Sequence, residues 1–324
     1  MIGKQDSHIR IEEADRVEVT TIIDNYTDST LRMSESPSEM IERVPLAIDG
    51  KVPSDSLLAE HGLCLLIKVF KDGGYHSILL DAGWSRMAVP HNMMKLGVSI
   101  PQIEAVVISH GHMDHFGALC DLLGDVIPDS TSVIIHPDAF LRRVISLPTG
   151  LRIEMPVLKE SAIRETDARL VKTRDPYSLA AGLVFSLGEV ERITDFEKGL
   201  PGALIERDGS FEPDAIMDDH GLVINLKEKG LVVITGCAHA GVVNTVKYAQ
   251  KITGIDMVYA VMGGFHLTGP QFMPLTERTI RELQEINPSV IVPMHCTCWV
   301  ATNLIATGFP EQFVLNSVGT TFRL

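Results

Sequence analysis

The sequence SHGHMDHFG (residues 109–117) is the most informative stretch of this chain. It places three histidines and one aspartate within six positions, directly after a largely apolar run at 103–108. A strand that ends in HxHxDH delivers several metal ligands to one point: His110 and His112 can bind one cation, while Asp114 and His115 face the other way and can bind a second. Imidazole nitrogen and carboxylate oxygen suit zinc, with iron or manganese as alternatives. The sequence therefore predicts a metal site.

The composition is that of an ordinary globular protein with an acidic balance. The 324 residues are 45% hydrophobic and 22% charged, and no break in composition divides them, which favours a single domain over residues 1–324. A net charge of −14 argues against a nucleic-acid partner, which needs a basic stripe. The lack of an 18-residue apolar run argues against a membrane span. An odd number of cysteines and a polar N-terminus favour a reducing cytoplasm.

The order of local patterns predicts two mixed β-sheets between helices. Apolar and β-branched runs predict strands at 17–23, 63–69, 77–80, 106–109, 132–135, 222–226, 230–235, 257–262 and 290–292. Helical periodicity predicts helices at 87–96, 116–123, 137–144, 242–252 and 275–286. Hairpins mixed with strand–helix alternation fit such a sandwich better than a doubly wound parallel sheet. Residues 150–215 are interpreted as an insertion that covers a pocket.

The second half of the chain offers further ligands around a predicted hairpin. Because a hairpin brings its ends together, His220 before one strand and His239 after the other are expected to be neighbours. We predict His239 as a ligand, whereas His220 is either a ligand or part of an acidic surface loop. Cys237 is either a thiolate ligand or a small buried residue.

Other candidates lie where predicted strands end. His295 follows the last apolar strand and is predicted as a ligand. His266 follows two glycines that allow close backbone approach, and is a candidate for substrate binding or proton transfer, or else a structural histidine. Asp81 either forms a turn before Ala-Gly or orients a ligand histidine. His61 and His91 have no ligand-like companions in sequence, although each could line a pocket.

These motifs together resemble a known family. SHGHMDHFG, ILLDAG, TGC and the late His295 occur in the order typical of the metallo-β-lactamase superfamily. A wider set, from about residue 24 to 298, resembles its 7,8-dihydropterin-6-yl-methyl-4-(β-D-ribofuranosyl)aminobenzene-5′-phosphate synthase-like branch. That set comprises DNYTD (24–28), EHGLCLLI (60–67), LLDAG (79–83), HNMMKLGV (91–98), VISHGHMDHFGAL (107–119), GEVERITDFE (188–197), GLVVITGCAHAGVVNT (230–245), GGFHL (263–267) and PMHCT (293–297).

The resemblance implies an αββα sandwich with a binuclear metal site at its edge. The superfamily pattern assigns His110 and His112 to the first metal, Asp114 and His115 to the second, and His295 to the last ligand position. Where the superfamily usually has an aspartate, this chain has Cys237, so one or two ions are expected. The candidate ligands are His110, His112, Asp114, His115, His220, Cys237, His239 and His295, with Asp81 supporting them and with Asp114 and His266 as candidate catalytic residues.

The resemblance also implies a reaction on a small molecule. We expect a metal-dependent hydrolase of a small anionic, phosphate-containing substrate, in which a bound zinc ion lowers the pKa of water from roughly 16 to about 7 and Asp114 moves the proton. The alternative is a transferase that condenses a dihydropterin diphosphate with 4-(β-D-ribofuranosyl)aminobenzene 5′-phosphate.

Two further classes use the same fold. A diiron oxygen or nitric-oxide reductase normally needs a flavin domain, for which 324 residues leave no room. A non-catalytic metal-binding sensor is disfavoured by the intact HxHxDH. The oligomeric state stays open, with a homodimer as one option.

Overall fold

Two mixed β-sheets lie face to face with helices on their outer faces in the computed structural model, which describes residues 8–34, 39–98, 100–125 and 131–324. Within those ranges the strands are β1 (Glu13–Ala14), β2 (Arg16–Ile23), β3 (Ile41–Glu42), β4 (Cys64–Lys71), β5 (Gly74–Leu80), β6 (Ile103–Ile108), β7 (Ser132–Ile135), β8 (Arg143–Ser146), β9 (Arg152–Glu154), β10 (Arg169–Lys172), β11 (Tyr177–Leu179), β12 (Val184–Ser186), β13 (Ala203–Arg207), β14 (Ser210–Pro213), β15 (Gly221–Leu226), β16 (Gly230–Thr235), β17 (Val258–Gly264), β18 (Val290–Met294) and β19 (Thr321–Arg323).

The α-helices of the same ranges are α1 (Leu31–Ser34), α2 (Ala88–Lys95), α3 (Met113–Phe116), α4 (Leu119–Asp125), α5 (Glu160–Arg164), α6 (Val242–Thr253), α7 (Met273–Ile286) and α8 (Trp299–Gly308). Short 3-10 turns occur at Ile100–Gln102, Pro137–Phe140, Ala180–Gly182 and His295–Thr297. Among the described helices, none is long and apolar enough to cross a lipid bilayer.

The first sheet has the strand order β10-β7-β6-β5-β4-β2-β19-β3, and the second has β11-β12-β15-β16-β17-β18 with β1 beside β15. Strands β5, β6, β7 and β10 run parallel, as do β16, β17 and β18. The hairpin strands β15 and β16 are buried at every position. Burial on both faces is what a strand experiences inside a layered sandwich. A small third sheet has the order β14-β13-β8-β9.

The apolar core is layered in the same way. One buried cluster joins the facing sides of the two sheets, with Ile67 and Val107 from the first sheet and Ile224 and Val232 from the second. Two other clusters pack α2 and α4 on the outside of the first sheet and α6, α7 and α8 on the outside of the second. Burying such an aliphatic side chain completely stabilises the folded state by roughly 1.5–3 kcal/mol relative to leaving it exposed. The αββα sandwich predicted from the sequence is therefore confirmed.

The parallel strands explain where a site can form. The carboxyl ends of parallel neighbours meet at one edge of a sheet, so β5 and β6 present residues 81 and 109 together, and β16 and β18 present residues 236 and 295 together. The backbone N–H of His220 donates to the carbonyl of Ser109 (3.1 Å), which joins these edges across the sandwich. All the segments that carry candidate ligands therefore converge on one end of the molecule.

Two local expectations differ from the structure. The predicted helix at 137–144 is wrong: a 3-10 turn over Pro137–Phe140 is followed by β8, which pairs with β13. The partner strand lies about sixty residues downstream, so local periodicity carries no sign of it. The helix expected at 116–123 is split into α3, which already begins at Met113, and α4. Residues 150–215 supply strands to all three sheets, and their role in covering a pocket stays a prediction.

Gly117 is required by a close backbone approach next to the HxHxDH segment. Its N–H donates to the carbonyl of Gly83 (2.8 Å), and a methyl group on it would lie 1.7 Å from the carbonyl oxygen of Trp84. The neighbouring Gly124 in α4 faces open space.

We expect Gly117→Ala to lower the free energy of unfolding by about 2–4 kcal/mol. The added methyl group would overlap backbone atoms of Trp84, which cannot move aside as a flexible side chain could. Gly124→Ala is the matched control, and should raise stability by about 0.5–1 kcal/mol through helix propensity. Urea denaturation of both variants measures the difference. Equal stability of the two variants would contradict the packing described around Trp84.

Candidate metal centre

The HxHxDH segment is positioned by the end of β6 and the start of α3. His112 has extended backbone geometry and immediately precedes α3, so Asp114 and His115 lie on a helical turn. The ring centroids of His110 and His112 are 4.5 Å apart, and those of His110 and His115 are 4.2 Å apart. All four side chains are buried. Three imidazoles and one carboxylate thus share a space that excludes bulk water.

Residues from the second half of the chain complete this cluster. The ring of His239 lies 4.8 Å from that of His110 and 4.9 Å from that of His112. The ring of His295 lies 4.9 Å from that of His115, and Cys237 Sγ lies 3.2 Å from His115 Nε2. The hairpin β15–β16 and the ends of β16 and β18 therefore bring His239, Cys237 and His295 to the HxHxDH segment.

Ligand-type atoms fall into two groups whose members lie within 4.8 Å of one another. One group contains Asp114, His115, Cys237 and His295, and the other contains His110, Cys237 and His239. Cys237 belongs to both, in the position where the resemblance leads one to expect a bridging aspartate. His112 lies beside the second group. This arrangement offers donors for one or two cations.

Asp81 lies behind the cluster rather than within it. One of its carboxylate oxygens accepts a hydrogen bond from His115 Nδ1 (2.6 Å) and one from Ser109 Oγ (2.8 Å), and the other accepts one from the Ser109 N–H (2.7 Å). It is fully buried. When His115 donates from Nδ1, its Nε2 lone pair is left facing the cluster. Asp81 therefore has the geometry of a residue that orients a ligand histidine.

Burial and neighbouring charges set the protonation of the cluster. Burial, followed by repulsion from neighbouring imidazoles, holds the pKa of His110 and of His239 well below its ordinary value. Burial opposes the charged form of His115 as well, but Asp81 and Asp114 outweigh it and raise the pKa of His115 to about 9. Burial is likewise outweighed at Asp114, where His115 and His295 lower the pKa. His110, His239 and Asp114 are therefore in the forms that bind metals, whereas a cation would have to displace the proton that the raised pKa leaves on His115.

The cluster fits a divalent cation. Nε2 of His110 and both ring nitrogens of His239 are buried and have no hydrogen-bond partner among the described residues. Such groups are costly unless something satisfies them. Burial also raises the pKa of the Cys237 thiol, so only a cation would hold it as a thiolate here. Imidazole, carboxylate and thiolate together are donors that zinc accepts.

Besides Asp81, three predicted site residues lie outside both ligand groups, namely His112, His220 and His266. His220 uses Nδ1 on the carbonyl of Asp218 (2.7 Å), and its role as a ligand stays a prediction. The alternative that its loop is an acidic surface is wrong, because Asp218 and Asp219 are buried. The ring centroid of His266 lies 4.1 Å from that of His239, with the rings tilted by 46°, and both residues line a cavity of about 30 Å³. Burial lowers the pKa of His266 to about 4.

Sequence reasoning missed the residues that support the cluster from a distance. Asp218 accepts the N–H of Gly111 (2.8 Å) and binds Arg143 (2.6 Å), and so holds the loop between His110 and His112. These partners are separated by 107 and 75 residues, and no local pattern pairs them.

At the outer side of the cluster, His61 Nε2 lies 3.5 Å from Asp114 Oδ2. Asp24 accepts the N–H of His295 (2.9 Å). In the sequence, only the motif DNYTD, which begins at Asp24, indicated a contribution of Asp24 to the site. His91 instead contacts the carbonyl of Ser56 at 2.8 Å.

Comparisons with known proteins agree with this architecture. Residues 59–128 match the family model described as the metallo-beta-lactamase superfamily. The chain is 33% identical over 260 residues to the 7,8-dihydropterin-6-methyl-4-(β-D-ribofuranosyl)-aminobenzene-5′-phosphate synthase of Methanocaldococcus jannaschii, covering 79% of this chain and 87% of that protein. It is 30% identical over 268 residues to an uncharacterized protein of the same organism, covering 81% and 92%.

A solved structure shows the same fold. It is described as a metal-dependent hydrolase of the beta-lactamase superfamily, and it aligns with a TM-score of 0.71 at 22% identity over 95% of this chain and 98% of that one. The family-model match and the 33% identical relative show that the chain belongs to the metallo-β-lactamase superfamily. Within the superfamily it falls in the branch that resembles the dihydropterin–ribofuranosylaminobenzene-phosphate synthase, so the family predicted from the motifs is confirmed.

We expect Asp81→Asn to weaken zinc binding by about 10–100-fold, because the amide cannot accept every hydrogen bond that the carboxylate accepts and so no longer fixes His115. Competition with a chromophoric chelator measures the affinity. Asp256→Asn, an exposed change of the same type, is the control and should leave the affinity unaltered. An unchanged affinity in the Asp81 variant would show that His115 does not depend on this contact.

Proposed function

We propose that this protein is a metal-dependent hydrolase of small anionic substrates that contain phosphate. One observation carries the proposal: six buried ligand-type side chains from distant parts of the chain meet in one cluster, namely His110, Asp114, His115, Cys237, His239 and His295. A cluster that served only to form structural ion pairs would not need so many imidazoles whose nitrogens lack hydrogen-bond partners. One or two zinc ions are the expected occupants, with iron or manganese as alternatives.

A bound divalent ion would supply Lewis acidity and lower the pKa of a water molecule at the site. The protein contributes orientation and exclusion of solvent. His110 and His239 hold neutral nitrogens in the buried cluster. The lowered pKa of Asp114 keeps it ionised, which favours a ligand role over the proton-transfer role expected from the sequence. His266, neutral at physiological pH, can exchange a hydrogen bond with substrate beside His239.

The cavity lined by His239, His266 and Phe272 measures about 30 Å³, which leaves room for water beside the candidate ligand His239. Hydrolysis needs only a water molecule and the ester, whose bond to phosphorus is replaced by a bond from the water oxygen while the alcohol leaves with a proton.

The second candidate is a transferase reaction. The relative that is 33% identical over most of both chains is named as a synthase of a dihydropterin–ribofuranosylaminobenzene phosphate. A synthase would use the same cluster to hold a diphosphate group while a carbon or nitrogen atom of the second substrate attacks. The identity to this relative is the observation that favours it.

Zinc-, manganese- and iron-loaded protein, each with a chelated control, should be incubated with a panel of phosphate monoesters, phosphodiesters and lactones. In parallel, the same protein should receive a dihydropterin diphosphate and the aminobenzene ribotide. We expect metal-dependent hydrolysis of one or more phosphate esters. Turnover of the pterin pair alone would replace the hydrolase proposal with the transferase.

We expect Cys237→Ala to lower zinc affinity at least about tenfold and to reduce activity, because it removes the donor shared by both ligand groups. Cys237→Asp should recover part of both by restoring a carboxylate. The control is Cys120→Ala, at a half-buried cysteine that belongs to neither group. Metal content after dialysis measures the outcome, and full zinc retention in Cys237→Ala would remove the thiol from the proposed centre.

A further inference from the structure

The ring of His239 is held differently from that of His115. His115 donates from Nδ1 to Asp81 (2.6 Å), and a ligand histidine is usually fixed by such a hydrogen bond at its second ring nitrogen. Neither ring nitrogen of His239 has a hydrogen-bond partner among the described residues. The orientation of His239 therefore depends on ring packing and on the backbone that carries the ring.

That backbone has an unusual conformation on both sides of His239. Ala238 has a φ of 57° and Gly241 has a φ of 101°, both in the positive range that residues other than glycine rarely adopt. Such a backbone persists only where surrounding contacts hold it. On one side, the N–H of Ala240 donates to Asp219 Oδ2 (2.9 Å). On the other side the chain enters α6 directly, so the turn also depends on how the start of that helix is held.

Glu197, which lies between β12 and β13, holds the start of α6. Its Oε1 accepts the N–H of Val243 (2.9 Å) and its Oε2 accepts that of Asn244 (2.8 Å). N–H groups at the start of a helix have no partner within the helix, and a carboxylate there also interacts favourably with the helix dipole. A methyl group on Gly241 would lie 2.1 Å from Glu197 Cδ. The carboxylate is therefore packed directly against the turn that carries His239.

The side chain of Asn244 connects the same segment to the turn a second time. Its Nδ2 donates to the carbonyl of Ala240 (2.8 Å). Its Oδ1 accepts the two consecutive N–H groups at 193–194 (2.9 Å each). The segment that contains Glu197, the first turn of α6 and the backbone next to His239 therefore form one hydrogen-bonded unit.

We propose that Glu197 is a positioning residue that fixes His239 in the metal centre by way of the backbone. This inference rests on the proposed function, because it needs a cation that His239 binds. His239 belongs to one of the two ligand groups and His115 to the other, so Glu197 acts on the first group. The segment between β12 and β13 thus contributes to the centre without supplying a ligand.

Glu197→Gln tests this contact. Burial raises the pKa of Glu197 to about 7, so measurements at pH 8 compare an ionised carboxylate with a neutral amide, whose nitrogen cannot accept a backbone N–H. We expect Glu197→Gln to weaken zinc binding about tenfold in competition with a chromophoric chelator, and Glu197→Asp, which keeps the charge, to lose less. Glu191→Gln is the matched control. Glu191 pairs with Lys251 near the far end of α6, and its loss should leave the affinity within about twofold.

A double-mutant cycle shows whether Glu197 acts through His239. In the His239→Ala background, Glu197→Gln should change zinc affinity by less than about twofold, because the ligand that Glu197 positions is gone. A further tenfold loss in that background would assign Glu197 a general structural role and overturn the proposal.

Metal-free protein gives a second readout that does not depend on zinc. We expect Glu197→Gln to speed amide hydrogen exchange at least about tenfold in peptides that cover residues 239–244, and Glu191→Gln to leave it unaltered. Equal exchange in the two variants overturns the proposal. If Glu197→Gln fails to fold, Glu197→Asp carries the same test with a smaller expected change.

The outcomes distinguish this inference from the proposed function. Zinc affinity and ester hydrolysis that Glu197→Gln leaves unchanged overturn the positioning role, while the hydrolase proposal stands. A loss of zinc affinity that depends on His239, in protein that hydrolyses no ester, supports the positioning role and counts against the hydrolase. Failure of the unaltered protein to bind zinc overturns both.

Discussion

The hydrogen bonds of the Asp81 carboxylate are the constraint on which the rest of the site depends. The carboxylate, at the end of β5, accepts hydrogen bonds from Ser109 at the end of β6. It also accepts a hydrogen bond from the side chain of His115. It is fully buried, and a buried charge is tolerated only when such partners surround it. Removing one partner of a buried charge typically costs about 3–5 kcal/mol. The orientation of His115 and the start of the HxHxDH segment therefore both depend on the Asp81 side chain.

The second sheet is joined to the first at Ser109. The contact between the His220 N–H and the Ser109 carbonyl fixes the hairpin β15–β16 against β6. Asp218, two residues before His220, accepts the N–H of Gly111 and forms an ion pair with Arg143. Ligand-type residues from both sheets can therefore meet within a few ångströms although up to 185 positions separate His110 from His295. The buried nitrogens at their meeting point have no hydrogen-bond partner among the described residues, and a bound cation would satisfy them.

Much of this arrangement could be predicted from the sequence because its signals are local. The HxHxDH cluster, the apolar strand before it and the hairpin that carries His239 are each readable within a dozen residues, and strand ends of parallel sheets converge by geometry. The order of motifs predicted the family and the sandwich, and both are confirmed. The sequence left open whether Cys237 is a metal ligand or a small buried residue. The answer depends on which side chains from distant parts of the chain surround its thiol.

The parts that escaped prediction are those created by distant pairing. Residues 143–146 form a strand because β13 lies beside them, and the local pattern alone favoured a helix. The buried ion pair of Arg143 and Asp218 joins residues 75 positions apart. His61 lies near Asp114 because the backbone N–H of Leu63 donates to the carbonyl of Asp114 (3.1 Å), a pairing that no local pattern indicates. Composition and periodicity report burial and local geometry, and they carry no information about such partners.

We infer that the buried cluster is a metal centre built from both halves of the chain. Anomalous diffraction at the zinc absorption edge, from crystals of zinc-loaded protein, tests this most directly. We expect one or two peaks about 2.0–2.3 Å from donor atoms of the cluster, with His239 or His295 bound together with residues of the HxHxDH segment. Peaks confined to surface sites, with none among these side chains, would contradict it.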